Sequence, residues 1–172
     1  MRASLTRLFA TSASIMSSSS SSFYALTGVK GDGAVVSMEE FRGKVVYATN
    51  VASKWGATRR EYAQFEKLGQ RWGMNNLVIL GFPSREFGAQ EYPTDAEIAD
   101  FAQAKNFPGI LMKLGKVTGK DAPEVWKFFQ KETSAKDPTW NFNGKFLVSK
   151  NGVVCTTTAA TVEADIAKLM EE

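Results

Sequence analysis

Two apolar runs constrain this chain more than anything else in it. KVVYATNVA (residues 44–52) and NLVILGF (residues 76–82) are dense in β-branched and large apolar side chains, as strands buried on both faces are. Between them, TRREYAQFEKLGQRW sets Tyr62, Phe65, Leu68 and Trp72 at helical spacing, which predicts a helix over residues 59–73. Strand, helix and strand in that order predict a parallel pair with a right-handed crossover. Such a unit must be covered on both sides. At 172 residues, 44% hydrophobic and 12% aromatic, the chain has the material for one domain and a tail.

The rest of the chain supplies the cover. FYALTGVKGDGAVVSM, from Phe23, carries two short β-prone runs around Gly31-Asp32-Gly33, a hairpin pattern. SMEEFRGK reads as one helical turn or loop closed by Gly43. TDAEIADFAQAKN opens like a helix, with Thr94 as N-cap and Glu97 three residues on, a capping box. DAPEVWKFFQKET repeats the device more loosely, and its Pro123 suits a helix's first turn. KFLVSKNGVVCTTT is a hairpin turning at Asn151-Gly152. TVEADIAKLMEE is an amphipathic helix with Val162, Ile166 and Leu169 inward. The order hairpin, β, α, β, α, α, ββ, α is an α/β, thioredoxin-like architecture: a central mixed sheet flanked by helices, behind an N-terminal β-hairpin extension. Trp72 and Trp126 fall on apolar helix faces and are expected in the core. Gly28, Gly31 and Gly33 are turn glycines, since no strand–GxGxxG–helix context surrounds them.

Residues 1–22, MRASLTRLFATSASIMSSSSSS, are rich in Ser, Ala and Thr, hold Arg2 and Arg7 and contain no acid. They are expected to be a mitochondrial or plastid transit peptide, with residues 23–172 as the folded domain and a cytoplasmic location otherwise. Those two arginines account for most of the formal charge of +3, so the body is near neutral and no nucleic-acid partner is expected. No apolar run approaches the roughly 20 residues of a membrane span. The absence of histidine removes Ser-His-Asp and Cys-His catalysis and histidine metal sites. The single cysteine, Cys155, has neither an internal disulfide partner nor a CxxC mate, and reads as an inert strand thiol.

Three blocks carry chemistry. NVASKWGAT (residues 50–58), LGFPSREFGAQE (residues 80–91) and WNFNGKFLV (residues 140–148) resemble, in order and spacing, the three motifs of the glutathione peroxidase family: NVAS-x-C-G-x-T with cysteine or selenocysteine sixth, FPCNQFG-x-QE, and WNF-x-KFLV. The resemblance implies two-electron reduction of hydrogen peroxide or lipid hydroperoxides by glutathione as co-substrate, with no bound cofactor and no metal. It also implies that a chalcogenolate at position 55 attacks the peroxide and becomes a sulfenic or selenenic acid. The helix N-terminus behind it favours the anion, and Trp140 and Asn141 fill two of the family's donor positions. The short run from DAPEVWKFF to WNFNGKFLV resembles family members that are monomers and accept bulky lipid hydroperoxides at a membrane surface. Lys54, Arg59, Arg60 and Arg85 would form a basic rim for glutathione carboxylates or lipid phosphates, or else an ordinary solvated face.

The departures fall at the centre of the pattern. Trp55 stands at the nucleophile position, and Glu86 replaces the family's glutamine behind Ser84 and Arg85. A glutamate beside a chalcogenolate would repel it by about 1–4 kcal/mol at about 4 Å, unless it is protonated, turned away or compensated by Arg85. The second cysteine of thioredoxin-dependent members, expected near Gln103, is missing. Three readings of Trp55 stay open: a UGA selenocysteine codon written as tryptophan, a genuine tryptophan in a dead peroxidase serving as a binding or scaffold subunit, and a deliberate replacement.

Overall fold

The computed structural model describes residues 22–172, so the transit peptide expected over residues 1–22 lies outside them except for Ser22. The two apolar runs form β3 (Val45–Val51) and β4 (Leu77–Pro83), preceded by β1 (Thr27–Val29) and β2 (Val35–Ser37). β3 and β4 pair in parallel, Val45 opposite Leu77 through Val51 opposite Pro83. Every residue of both is buried, which explains why neither run shows the alternation of a half-exposed strand. The crossover helix α1 spans Thr58–Trp72, one residue earlier than its periodicity predicts.

The remaining elements are α2 (Asp95–Ala104), β5 (Ile110–Leu111), α3 (Glu124–Thr133), β6 (Lys145–Val148), β7 (Val154–Thr156) and α4 (Val162–Met170). The main sheet runs β5-β4-β3-β6-β7, and β1 and β2 form a separate two-stranded sheet. β5 joins β4 in parallel, whereas β6 is antiparallel to both β3 and β7. The mixed sheet between helices is the thioredoxin-like arrangement the element order predicts, with β5 as an added edge strand. Two residues cannot display a period, so β5 left no mark in the sequence.

Strand alternation splits the core between the two faces of the sheet. Val46, Ala48, Leu80 and Phe146 pack with Trp126 and Phe129 of α3 and with Phe23. Val45, Tyr47, Ile79 and Leu147 pack with Tyr62, Phe65 and Leu68 of α1 and with Val162 and Ile166 of α4. Trp126 is fully buried. Trp72 and Leu169 lie at the margin of the second core, partly buried. Gly152 turns the β6–β7 hairpin at φ 84°, a left-handed value that suits glycine. Thr94 caps α2 by accepting from the Glu97 amide at 3.3 Å, but Glu97 returns its carboxylate to the Thr94 hydroxyl rather than to the cap's amide. A full reciprocal box instead joins Ser37 and Glu40, ahead of the single turn Met38–Phe41. Pro123 is the N-cap of α3, just outside its first turn. Among the described residues no helix is long and apolar enough to cross a membrane.

Candidate active site

Where β3 leaves the sheet, residues 52–57 make one tight loop before α1. Thr58 closes it: its hydroxyl donates to the Ala52 carbonyl at 2.6 Å and accepts from the Trp55 amide at 3.1 Å. Its own amide donates to the Trp55 carbonyl at 3.0 Å. Ala57, the N-cap, offers no side chain to the first-turn amides, so the positive end of the α1 dipole carries no side-chain cap.

The other two blocks hold this loop from either side. From the second, the Glu91 carboxylate accepts from the Ser53 amide at 3.1 Å, and the Gln90 carbonyl accepts from the Lys54 amide at 2.8 Å. Toward the third, the buried side chain of Asn50, which opens the first block, bridges two groups. It donates to the Trp140 carbonyl at 2.9 Å and accepts from the Gly144 amide at 2.8 Å. All three motif blocks therefore meet around residue 55. Asn50→Ala is expected to cost about 1–3 kcal/mol, because it leaves the Gly144 amide unpaired at a largely buried position and the Trp140 carbonyl with the Asn143 amide alone. Chemical denaturation would measure this. A loss below about 0.5 kcal/mol would mean that solvent replaces both bonds.

Trp55 is half-buried. Its ring stacks on Phe142 at 5.8 Å between centroids and 22° between planes, and it packs against the second core. Phe142 is buried yet has φ 56°, a conformation uncommon for a bulky residue. An extra residue follows it. WNFNGKFLV has Asn143 and Gly144 between Phe142 and Lys145, one more than WNF-x-KFLV allows. The turn 140–143, closed by the Asn143 amide on the Trp140 carbonyl at 3.3 Å, absorbs it.

Of the two expected donors, Asn141 is already engaged. Asn141 is buried, its amide donating to Gln90 Oε1 at 2.7 Å. Trp140 is 41% exposed and leans on Phe87, 6.1 Å between centroids. Glu86 accepts from the Val117 amide at 2.7 Å, from the Ser84 hydroxyl at 3.1 Å and from the Thr118 hydroxyl. Three neutral donors thus hold this side chain, and the Arg85 compensation considered from sequence is not what holds it.

A family model described as glutathione peroxidase matches residues 23–130. The chain belongs to the glutathione peroxidase family. It is 38% identical over 141 residues to "Glutathione peroxidase 1, mitochondrial" of Chlamydomonas reinhardtii, covering 80% of this chain and 70% of that protein. To the phospholipid hydroperoxide glutathione peroxidase of Sus scrofa it is 38% identical over 128 residues, 72% of this chain and 64% of that protein. Among solved structures, the crystal structure of Trgpx in apo form superposes with a TM-score of 0.68 at 28% identity, over 90% of this chain and 98% of that one.

Within this glutathione peroxidase fold the basic residues are dispersed in their pairing. The Lys54 ammonium sits over the Tyr92 ring at 4.3 Å, Arg60 lies 3.8 Å from Glu61, and Arg59 and Arg85 are exposed. Cys155 lies on β7, paired across the sheet with Leu147 near the end of the third block. Desolvation raises its thiol pKa, and Asp165 and Glu172 push the same way, so it is a poor nucleophile. Sequence reasoning passed over Asn50, Gln90, Glu91 and Phe142. All four stand inside the quoted motifs as their only signal.

Proposed function

We propose that this chain is built for glutathione-dependent reduction of hydroperoxides, with position 55 as the nucleophile and selenocysteine as the residue that fills it in the cell. The observation that carries the reading is the convergence of all three motif blocks, through Asn50, Gln90 and Glu91, on the loop ahead of α1. There a selenolate attacks one peroxide oxygen, the O–O bond breaks, and the alcohol leaves as it takes a proton. Two glutathione thiols then return the selenenic acid to selenolate, releasing water and glutathione disulfide. Trp140 and Asn141 serve as donors once Asn141 exchanges Gln90 for the bound oxyanion, and Lys54, Arg59 and Arg85 attract the carboxylates of glutathione. Only eleven residues separate α3 from β6. That leaves the face beside position 55 uncovered for a lipid hydroperoxide at a membrane surface, and fits a monomer. Residues 1–22 are the address, mitochondrial or plastid, and residues 23–172 the catalytic domain.

One observation favours a second reading, a peroxidase fold that binds without turning over. Trp55 lies flat on Phe142, and Glu86 and Asn141 already have partners, so an indole at position 55 suits its surroundings. Trypsin cuts after Lys54 and Arg59 and releases residues 55–59 as one peptide. Mass spectrometry of that peptide from the native source decides between the two: a selenium isotope pattern supports the enzyme, and an indole mass supports the binding module.

A further inference from the structure

With Glu86 in place of the family's glutamine, Gln90 is the one glutamine left in the second block. Two bonds make it the link between the other two blocks. Its carbonyl accepts from the Lys54 amide at 2.8 Å, and its side-chain Oε1 accepts from Asn141 Nδ2 at 2.7 Å. Asn141 runs directly into Phe142, whose ring stacks on Trp55, so a closed ring of contacts passes through residues 54, 90, 141, 142 and 55. The backbone is bent to bring Gln90 there. Gly88 and Ala89 precede it at φ 66° and 50°, and the Ala89 amide closes the turn on the Arg85 carbonyl at 3.2 Å. Alanine in the left-handed region is uncommon and persists only where the surroundings hold it. The Trp140 ring and the Gln90 stem both lie against Gly88: a Cβ there would stand 3.4 Å from Trp140 Cη2 and 3.5 Å from Gln90 Cδ.

Asn141 is 2% exposed. Gln90 takes one end of its amide, and the other end, Oδ1, is buried without a hydrogen-bond partner. A primary amide carries a donor and an acceptor whose places a half-turn interchanges. When both amides turn over, Gln90 Nε2 donates to Asn141 Oδ1, the bond between the two side chains is kept, and Nδ2 stands where Oδ1 stood. A carboxylate at position 90 only accepts and an ammonium only donates, so neither permits the exchange. We propose that Gln90 is a positioning residue for residue 55: it holds Asn141 with its acceptor end free in the resting site and, by paired reversal of the two amides, presents the donor end when an anion forms there. This rests on the reading of position 55 as the nucleophile, and names what turns Asn141 toward it. The anion supplies the bias, since a hydrogen bond to a charged acceptor is stronger than one between neutral groups. Neither amide titrates. The charged groups on the same loops are already placed: the Lys54 ammonium lies over Tyr92, and Glu91 accepts from the Ser53 and Tyr92 amides.

The test uses the full chain carrying Trp55→Cys, isotope-labelled for NMR, with the side-chain amide resonances assigned through Gln90→Met and Asn141→Ser. As the thiol ionises, the Asn141 and Gln90 amide resonances should move together, with the midpoint that thiol alkylation gives. In the parent chain, which has no thiol at position 55, both should stay still over the same pH range. Adding Gln90→Met keeps the backbone bond to Lys54 and the length of the side chain but removes the amide. It should raise the alkylation midpoint by about one unit, a tenfold loss of thiolate below that midpoint. Adding Gln90→Glu should fix Asn141 in its present sense, so that its resonances no longer move. The proposal is overturned by a still Gln90 resonance while the thiol ionises, by movement in the parent chain, by an unshifted midpoint in a folded Gln90→Met variant, or by an Asn141 resonance that still moves in Gln90→Glu. The peroxidase reading fails separately. Coupled movement without turnover keeps the amide pair and sinks the enzyme, whereas turnover with both resonances still keeps the enzyme and sinks the pair.

Discussion

Trp55→Cys is expected to turn a chain with no hydroperoxide turnover above background into a glutathione-dependent peroxidase. The indole has no nucleophilic atom for an O–O bond, whereas a thiolate at position 55 would stand at the uncapped start of α1 with Lys54, Arg59 and Arg60 around it. An unassisted cysteine is only a few per cent ionised at neutral pH. A helix terminus and nearby cations lower such a pKa to about 7 or below, so the ionised fraction rises roughly tenfold. The checks are peroxide consumption coupled to glutathione oxidation, and the pH dependence of thiol alkylation. Activity should follow the alkylation midpoint, which should lie below that of free cysteine. Removing the indole uncovers one face of Phe142 and lowers stability by about 1–2 kcal/mol, so thermal unfolding must accompany the assay. A folded variant with an ordinary thiol and no turnover would mean that the site has lost more than its nucleophile, and the binding reading would then stand.

What the sequence disclosed follows from how each feature is encoded. The β3–α1–β4 unit was legible because long apolar runs and a helical period are local signals, and α4 and the β6–β7 turn for the same reason. β5 was not, being two residues fixed by its neighbours. The motif blocks marked position 55 but not the bonds that hold it. Asn50 meets Gly144 and Ser53 meets Glu91 across most or much of the domain, and nothing local in either sequence requires those partners. Glu86 is the clearest case. Read beside the nucleophile position it is a repulsive charge, yet two of its three partners come from Val117 and Thr118, a loop no motif includes. The extra residue before Lys145 was written in the chain, but the positive φ of Phe142 and its stacking on Trp55 were visible only in the backbone and the packing.

The largest stability effect is expected from a buried ion pair whose lysine stands in the third motif and whose carboxylate lies outside all three. Lys145, at the start of β6, donates to Glu61 of α1 at 2.9 Å and to the Tyr47 hydroxyl of β3 at 3.0 Å. Both charged side chains are only 5% exposed. Burial lowers the Lys145 pKa while Glu61 draws it back up, so the ammonium depends on its partner. Glu61→Ala therefore strands a cation in the core, at a cost of about 3–5 kcal/mol. For a chain of this length that lowers Tm by about 10 °C or more. Lys145→Met should cost less, because Arg60 lies 3.8 Å from the remaining carboxylate and reaches it from the surface. The double variant Glu61→Leu with Lys145→Met removes both desolvated charges and should recover to within about 1 kcal/mol of the parent. That recovery separates two roles. If the pair merely fills space, the double variant is as stable as the parent and the Trp55 environment is unchanged. If the pair also fixes the angle at which α1 leaves β3, the double variant recovers its Tm, but the fluorine resonance of Trp55 in fluorotryptophan-labelled protein stays displaced. The second outcome is expected, since Glu61 is in the first turn of α1 and the Lys145 ammonium lies 5.8 Å from the centre of the Phe142 ring on which Trp55 rests. A double variant as unstable as Glu61→Ala would show instead that the hydrogen bond to Tyr47, not the charge pairing, holds this corner together.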